Sequence, residues 1–309
     1  MSLVITAIFF EKFTKEQDFQ TLSNFIESLE DVQVTEVKTL SESRCFDFFI
    51  NYTSTKETAF TDLKEQLQQR ETELFLKVDL ILQRNNELRK GKKLFCFDMD
   101  STLIYQEVIE LIAAYAGVED QVEAITTRAM NGELDFKQSL NERVALLKGI
   151  NSTTIWDELK EKLQFTKGDF ELMKFLKSKG TKLAVLSGGF INLASYVKEQ
   201  LQLDYAFANL LETDSDGVLT GKTVGEIVDG DKKAELTLQI AKENDIKPEE
   251  AVCVGDGSND LKMMGIAGFG VAWNAKPIVQ KKAPGKLNTE KISDILYILG
   301  YTDEEINQV

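Results

Sequence analysis

Leu94-Phe-Cys-Phe-Asp-Met-Asp-Ser-Thr-Leu103 is the stretch from which the rest of this chain is read. Four apolar residues, Leu94 to Phe97, run without alternation and stop at Asp98, Asp100 and Thr102. An unalternating apolar run is the pattern of a strand buried on both faces. The carboxyl end of such a strand lies at the rim of an α/β sheet, where open parallel sheets bind ligands. Two carboxylates two residues apart repel each other and need compensation there. A divalent cation supplies it, and oxygen donors at this density suit Mg²⁺. A strand followed by a polar turn explains the same residues, since Asp and Ser are common in turns. The remainder of the chain separates the two readings.

With 309 residues there is room for two domains of about 150 residues each. The composition, 43% hydrophobic and 28% charged, is that of an ordinary globular protein. A net charge of −15 argues against a nucleic-acid or anionic-membrane partner. No apolar run approaches the ~20 residues of a transmembrane helix. The N-terminal Met1-Ser-Leu-Val-Ile-Thr-Ala-Ile-Phe-Phe has no basic region and no cleavage site, so it reads as a strand and not as a signal peptide. Cys45, Cys96 and Cys253 are odd in number and far apart, as expected of buried reduced thiols in a cytoplasmic protein. There is no histidine, which excludes His-dependent triads and imidazole-ligated zinc. There is no CxxC pair, and Asn259, not Arg, stands six residues after Cys253, against a thiolate phosphatase loop. Chemistry is left to carboxylates, Lys, Arg, Ser and the backbone.

Residues 1–90 read as an α+β unit. Leu3–Phe10 is an apolar strand, and Thr14–Leu29 has helical spacing through Phe19, Leu22, Phe25, Ile26 and Leu29. Val32–Lys38 alternates, a turn around Ser41-Glu-Ser follows, and Phe46–Tyr52 is a strand. Thr53-Ser-Thr55 offers capping hydroxyls for a helix from Lys56 to Glu71. Leu74–Leu82 alternates as a fourth strand. The order βαββαβ is that of a ferredoxin-like plait, and its topology resembles an ACT-like regulatory domain. ACT domains that bind amino acids carry Asp and Gly in the first strand–helix loop, whereas Glu11-Lys-Phe-Thr-Lys-Glu-Gln17 has neither. A structural or dimerising role is therefore expected, without L-serine binding, and a homodimer is the assembly such a role implies. Arg84–Lys93 is polar and basic and reads as a linker, which puts the domain boundary near residue 90.

Residues 91–309 read as the second domain. About 106–165 carry helical patterns only, broken at Gly117 and Gly132. Inserted directly after the Leu94 strand, these helices are expected to sit over the sheet rim as a cap. From Thr166 onward helices and strands alternate: Asp169–Lys179, Lys182–Leu186, Phe190–Leu201, a hairpin turned at Asp214-Ser-Asp-Gly217, Asp231–Asn244, Ala251–Val254, Asn259–Ala267 and a last strand Gly270–Trp273. Such alternation predicts an α/β, doubly wound parallel sheet.

Each main strand ends in polar residues. The first ends at Asp98 and Asp100, the second at Ser187-Gly-Gly189, and the third at Gly255-Asp-Gly-Ser-Asn-Asp260. The last loop lacks both GxGxxG and GxxxxGK[ST], so nucleotide binding is poorly supported. Three polar ends on one rim converge in space. Together with Lys233, these segments resemble the four motifs of the haloacid dehalogenase (HAD) superfamily. The nearer resemblance is to its phosphoserine phosphatase branch. There Glu107, Arg128-Ala-Met-Asn-Gly132, Phe136, Ser139-Leu, Arg143-Val and Gly221-Lys fall at cap and hairpin signatures.

That resemblance implies a Mg²⁺-dependent hydrolysis of O-phospho-L-serine, the last step of phosphorylated serine biosynthesis. It implies Asp98 as nucleophile and Asp100 as general acid and base. The metal would be held by the Asp98 side chain, the Asp100 carbonyl and Asp256, with Asp260 binding a metal water or holding Lys233. Ser187, Gly188, Gly189, Lys233 and Asn259 would cradle the phosphoryl oxygens. Lys-x-Glu with Glu235 favours Lys233 over Lys232. Glu107 would face the serine ammonium, Arg143 its carboxylate, and Met130 and Phe136 would exclude water. Two rivals are a phosphatase or phosphotransferase for another small phosphomonoester, and a serine-sensing protein with an inactive core. The intact Asp98, Asp100, Lys233 and Asp256 speak against the second.

Overall fold

The computed structural model describes residues 2–54 and 56–309. Met1 and Thr55, the latter expected as a capping hydroxyl, lie outside the described residues. The first unit runs β1 (Ser2–Phe9), α1 (Glu16–Glu27), β2 (Val32–Ser41), β3 (Cys45–Tyr52), α2 (Ala59–Arg70), β4 (Val78–Arg84). Its sheet has the order β2-β3-β1-β4, antiparallel throughout. Side chains alternate across a strand, and both faces of this sheet are used. Leu3, Ile5, Ala7 and Phe9 pack in one buried cluster with Leu22, Ile26 and Leu63 of the two helices. Ile8, Leu40, Cys45 and Ile81 instead join the core of the second unit.

Three expectations for this unit need correction. The second helix begins at Ala59, three residues later than Lys56, with Thr58 at its N-cap position. The fourth strand begins at Val78, because Glu71–Leu74 form a 3₁₀ turn and Phe75 takes a left-handed φ of 50°. Leu74 packs into the core from that turn, so it mimics strand alternation without belonging to the strand. The stretch read as a linker, Arg84–Lys93, holds a buried cation. Arg89 donates to both oxygens of Asp47, at 2.7 and 2.8 Å, to Thr6 Oγ1 at 2.9 Å and to the Ile298 carbonyl at 2.9 Å.

The second unit follows as β5 (Leu94–Phe97), α3 (Val108–Ala116), α4 (Glu119–Met130), α5 (Phe136–Ala145), α6 (Ser152–Lys160), α7 (Asp169–Ser178), β6 (Lys182–Phe190), α8 (Ile191–Leu201), β7 (Tyr205–Thr213), β8 (Leu219–Val224), α9 (Gly230–Glu243), β9 (Ala251–Gly255), α10 (Leu261–Ile266), β10 (Phe269–Trp273), α11 (Pro277–Lys282) and β11 (Gly285–Leu287). Two short helices, Ile295–Ile298 and Asp303–Asn307, follow. The sheet order is β11-β10-β9-β5-β6-β7-β8, parallel except for β7 against β8. β5 lies between β9 and β6, so the ends of the three motif-bearing strands are neighbours. Trp273 does not end the last strand of the sheet, as expected from the sequence; β11 does. α3 to α6 form the inserted cap, and Gly117 ends α3 with a left-handed φ of 68°. No helix among the described residues is long and apolar enough to cross a membrane.

Asp47 is 1% exposed and Arg89 8%. Arg89→Ala strands a buried carboxylate, which costs about 3–5 kcal/mol when one partner of such a pair is removed. Urea denaturation is expected to show a loss in that range; a loss under about 1 kcal/mol would mean that Arg89 is solvated as a linker residue would be.

Asp169, the first residue of α7, is fully buried, and neither carboxylate oxygen has a hydrogen-bond partner among the described residues. Burial pushes its carboxyl up to about 9, against a small opposing influence of the Thr166 backbone. The unfolded chain ionises this group near pH 4. The native state therefore loses stability as pH rises from about 4 toward 9, since the unfolded state releases the proton first. Asp169→Asn should match the parent at pH 4 and be more stable at pH 8, the gap growing by at most about 1.4 kcal/mol per pH unit. Parallel stability–pH curves for the two proteins would contradict this.

Candidate active site

A cleft of about 960 Å³ lies between the strand ends of the second sheet and the cap. Asp98, Asp100, Gly188, Gly189, Asp256 and Asn259 line it from the sheet side, and Glu107, Met130, Phe136 and Arg143 from the cap side. Ser187, Lys233 and Asp260 are fully buried beneath its floor. The residues singled out in the sequence thus gather in one place.

Asp98 follows β5 directly. Its Oδ1 accepts from the Met99 amide at 2.7 Å and pairs with Lys233 Nζ at 2.8 Å. Oδ2 makes no hydrogen bond among the described residues. Lys233 lies on α9, and its ammonium also donates to Asp260 Oδ1 at 2.7 Å. Burial works against the charged lysine, but Asp260 and Asp98 outweigh it and drive its pKa up. Asp260 Oδ2 accepts from the Gly257 amide at 3.0 Å, so this residue ties the glycine loop to the lysine. Its carboxyl is pushed up by burial first and by Asp98 second, with Lys233 opposing. We take the pair as ionised, because a lysine between two carboxylates keeps its proton. Glu235, the basis for preferring Lys233, pairs instead with Lys232 at 2.8 Å on the exposed side of α9. The preference stands on burial, not on that spacing.

Asp100 is held under the cap with Oδ1 unpartnered. Burial, Glu107 and Asp98 together keep its carboxyl well above the usual range. Gly189 is closely packed: a Cβ would stand 2.9 Å from Asp100 Oδ2 and 3.0 Å from Ser187 Oγ and would push both side chains aside. Ser187 Oγ accepts from the Gly189 amide at 2.8 Å. Phe136 rests on Gly188, where a Cβ would meet its ring at 2.7 Å. Met130 is 67% exposed at the mouth, so Phe136 is the tighter of the two apolar contacts expected to exclude water.

Glu107 accepts from Ser101 Oγ at 2.7 Å, and burial raises its carboxyl, with Ser101 and Arg143 opposing. Arg143 donates from Nε to the Ser139 carbonyl at 3.2 Å. Burial lowers its pKa, against the pull of Glu107 and Asp100. An acid and a base of the cap therefore face the strand ends side by side.

Asp98, Asp256 and Asp260 each offer an oxygen within 4.8 Å of the other two. Burial first, then Asp98 and Glu107, push the Asp256 carboxyl up to about 7. Lys233 balances only part of this negative charge. An all-oxygen donor set with unbalanced charge fits a hard divalent cation. The Asp100 carboxylate lies outside that set.

Sequence reading missed four residues. Ser101 steadies Glu107. Asn209 donates to the Gly188 carbonyl and accepts from the Val228 amide, both at 2.8 Å. It was visible as a lone amide in the apolar run Ala206-Phe-Ala-Asn-Leu-Leu211. Asp229 accepts from the Lys232 amide at 2.9 Å at the start of α9 and pairs with Lys137 of the cap at 3.1 Å. An Asp before a helix signals a cap, but nothing local signals Lys137.

Residues 92–268 match the model of the haloacid dehalogenase-like hydrolases. A phosphoserine phosphatase of Saccharomyces cerevisiae is 55% identical over 300 residues, 96% of this chain and 95% of that one. A HAD family hydrolase of Salmonella enterica serovar Typhi, known as a crystal structure, aligns with a TM-score of 0.79 at 27% identity, over 96% of this chain and 98% of that one. A phospho-aspartyl intermediate analogue of phosphoserine phosphatase aligns with a TM-score of 0.62 at 44% identity, over 67% of this chain and 98% of that one. With these motifs on one rim and a family match over more than half its length, the chain belongs to the haloacid dehalogenase-like hydrolases.

Proposed function

We propose that this chain hydrolyses O-phospho-L-serine to L-serine and phosphate, the final step of the phosphorylated route to serine, as a cytoplasmic enzyme. The observation that carries the substrate is that Glu107 and Arg143 line one cleft with Asp98 and Asp100. Opposite charges on the cap suit the ammonium and carboxylate of an amino acid, while the strand ends suit its phosphate. The likeness to the yeast phosphoserine phosphatase supports the same reading. Three free, buried thiols support the compartment. We place the boundary between the N-terminal unit and the hydrolase unit near residue 90, and give the former a structural or dimerising role.

In this reading Asp98 Oδ2 attacks phosphorus and the bond from phosphorus to the serine oxygen breaks. Asp100 gives its proton to that oxygen as serine leaves, and an aspartyl-phosphate remains on Asp98. Asp100, now ionised, takes a proton from water as the water oxygen attacks phosphorus. The bond to Asp98 breaks, and phosphate departs. Lys233 holds Asp98 oriented throughout, and Asp260 holds Lys233. Ser187, Gly188, Gly189 and Asn259 surround the phosphoryl oxygens. Mg²⁺ would be held by Asp98, the Asp100 carbonyl and Asp256, with Asp260 beside them, and when bound it offsets the repulsion between a carboxylate and an anionic phosphate. Phe136 keeps bulk water from the intermediate, with Met130 at the mouth outside it.

The test is phosphate release from O-phosphoserine, phosphoethanolamine and p-nitrophenyl phosphate, with and without Mg²⁺, by the parent and by Arg143→Ala. The parent should prefer phosphoserine and lose activity in chelator. A charge-assisted hydrogen bond contributes about 1.5–3 kcal/mol, so Arg143→Ala should lower kcat/KM for phosphoserine about ten- to a few-hundredfold. The other two substrates lack the carboxylate and should change little. An equal loss on all three would give Arg143 a role in closing the cap instead. A parent that prefers another phosphomonoester would overturn the substrate.

A further inference from the structure

One wall of the cleft is held by the N-terminal unit. Lys276, Ile278 and Val279, at and within α11, line the cleft beside the cap. Lys276 Nζ stands 4.0 Å from Met130 Sδ, so this wall also meets the cap. The other side of α11 is gripped from the N-terminal unit. Lys64 Nζ donates to the Ala283 carbonyl at 2.5 Å, and Gln68 Nε2 to the Lys281 carbonyl at 3.3 Å.

A part-buried amide relay, anchored on a buried carboxylate, does the rest. Asp79 of β4 is 1% exposed and accepts twice from Asn288, from its backbone N at 2.6 Å and its Nδ2 at 2.8 Å. Asn288 and Gln280 exchange side-chain bonds at 2.7 and 3.1 Å. Gln280 Nε2 also donates to the Ala275 carbonyl at 2.6 Å, immediately before Lys276. A six-residue helix after one proline has too few internal bonds to hold itself. Its position is set from outside.

We propose that Asp79, Asn288 and Gln280 are positioning residues for the substrate cleft, and that the N-terminal unit fixes the α11 wall through them. The inference rests on the cleft being the catalytic site, but not on phosphoserine being the substrate. The unit is then part of the active-site framework and not a module that swings free of it.

The test uses the full chain and an amide reversal. Asn288→Ala removes the side-chain relay. Asp79→Asn sets an NH₂ group against one of the two Asn288 donors, its backbone N or its Nδ2, and Asn288→Asp sets two carboxylates face to face. The double variant Asp79→Asn/Asn288→Asp restores donor against acceptor. Amide hydrogen exchange at residues 274–282 should speed up in each single variant while β5 and β6 stay unchanged, and it should return toward the parent in the double variant. KM for the phosphomonoester that the parent hydrolyses best should rise about three- to tenfold in the singles, with kcat within about twofold, as expected when lost hydrogen bonds loosen a binding wall that does not touch the reacting atoms. The double variant should recover KM. Exchange at 274–282 unchanged in Asn288→Ala would overturn the proposal, as would faster exchange with KM unmoved, or a double variant no better than the singles. Failure of phosphoserine as substrate would leave the exchange result readable and count against the substrate alone.

Discussion

The cleft depends on one ammonium group buried between two carboxylates. Lys233 is fully buried and reaches Asp98 and Asp260 together. Desolvating a lysine is costly, and only good geometry with more than one hydrogen bond repays it. Here that geometry ties three separate parts of the chain. Asp98 leaves β5, Lys233 stands on α9, and Asp260 closes the glycine loop after β9. The pairing therefore aligns the strand ends at the same time as it orients Asp98. Removing the lysine would leave carboxylates with no counter-charge, and the rim would lose its order and its chemistry together.

The rest of the site extends that arrangement outward. The neighbouring carboxylates Asp100, Asp256 and Glu107 are all raised by burial first, and the Asp98 charge adds to each. So much confined negative charge repels a phosphate unless a cation is present, which is why the acidic cluster and the buried lysine belong to one design. The cap adds what the rim lacks. Arg143 brings a positive group from the cap over Asp98 and Asp100, and Phe136 lands on Gly188 because glycine leaves room for the ring. Asn209, on β7, holds the Gly188 carbonyl of β6. Arg89, paired with Asp47 and donating to the Ile298 carbonyl, ties the two units together with the same physics as Lys233, a buried cation held by several acceptors.

Most of the fold is legible in local pattern. The unalternating Leu94–Phe97 run, the apolar β1, the alternating β2, and the polar residues ending β5, β6 and β9 each carry their signal within a few residues. What escaped was set by distant partners or by very short elements. Arg89 sits in a basic stretch that looks solvated, and its partners lie 42 and 209 residues away. Leu74 and Leu76 extend an alternation that the backbone does not follow, because a left-handed Phe75 turns the chain between them. β11 has three residues, too few for a period. Lys233 was chosen for its spacing to Glu235, yet that glutamate belongs to Lys232. Lys233 is set apart by its burial between Asp98 and Asp260, which no local spacing shows. Asn288 and Gln280 are ordinary polar residues in sequence, and only the packing of α11 between cleft and N-terminal sheet gives them meaning.

The central claim is that Asp98, held by Lys233, becomes covalently phosphorylated. The direct measurement is acid quenching of the enzyme during turnover of O-phosphoserine, followed by proteolysis and mass spectrometry. A phosphoryl group on the side chain of Asp98 is the expected result. Asp98→Asn, nearly the same in shape, should lack the adduct and keep less than roughly a thousandth of the activity, the scale of loss seen when a nucleophile is removed. A phosphoryl group on any other residue, or an Asp98→Asn enzyme that still turns over well, would contradict it.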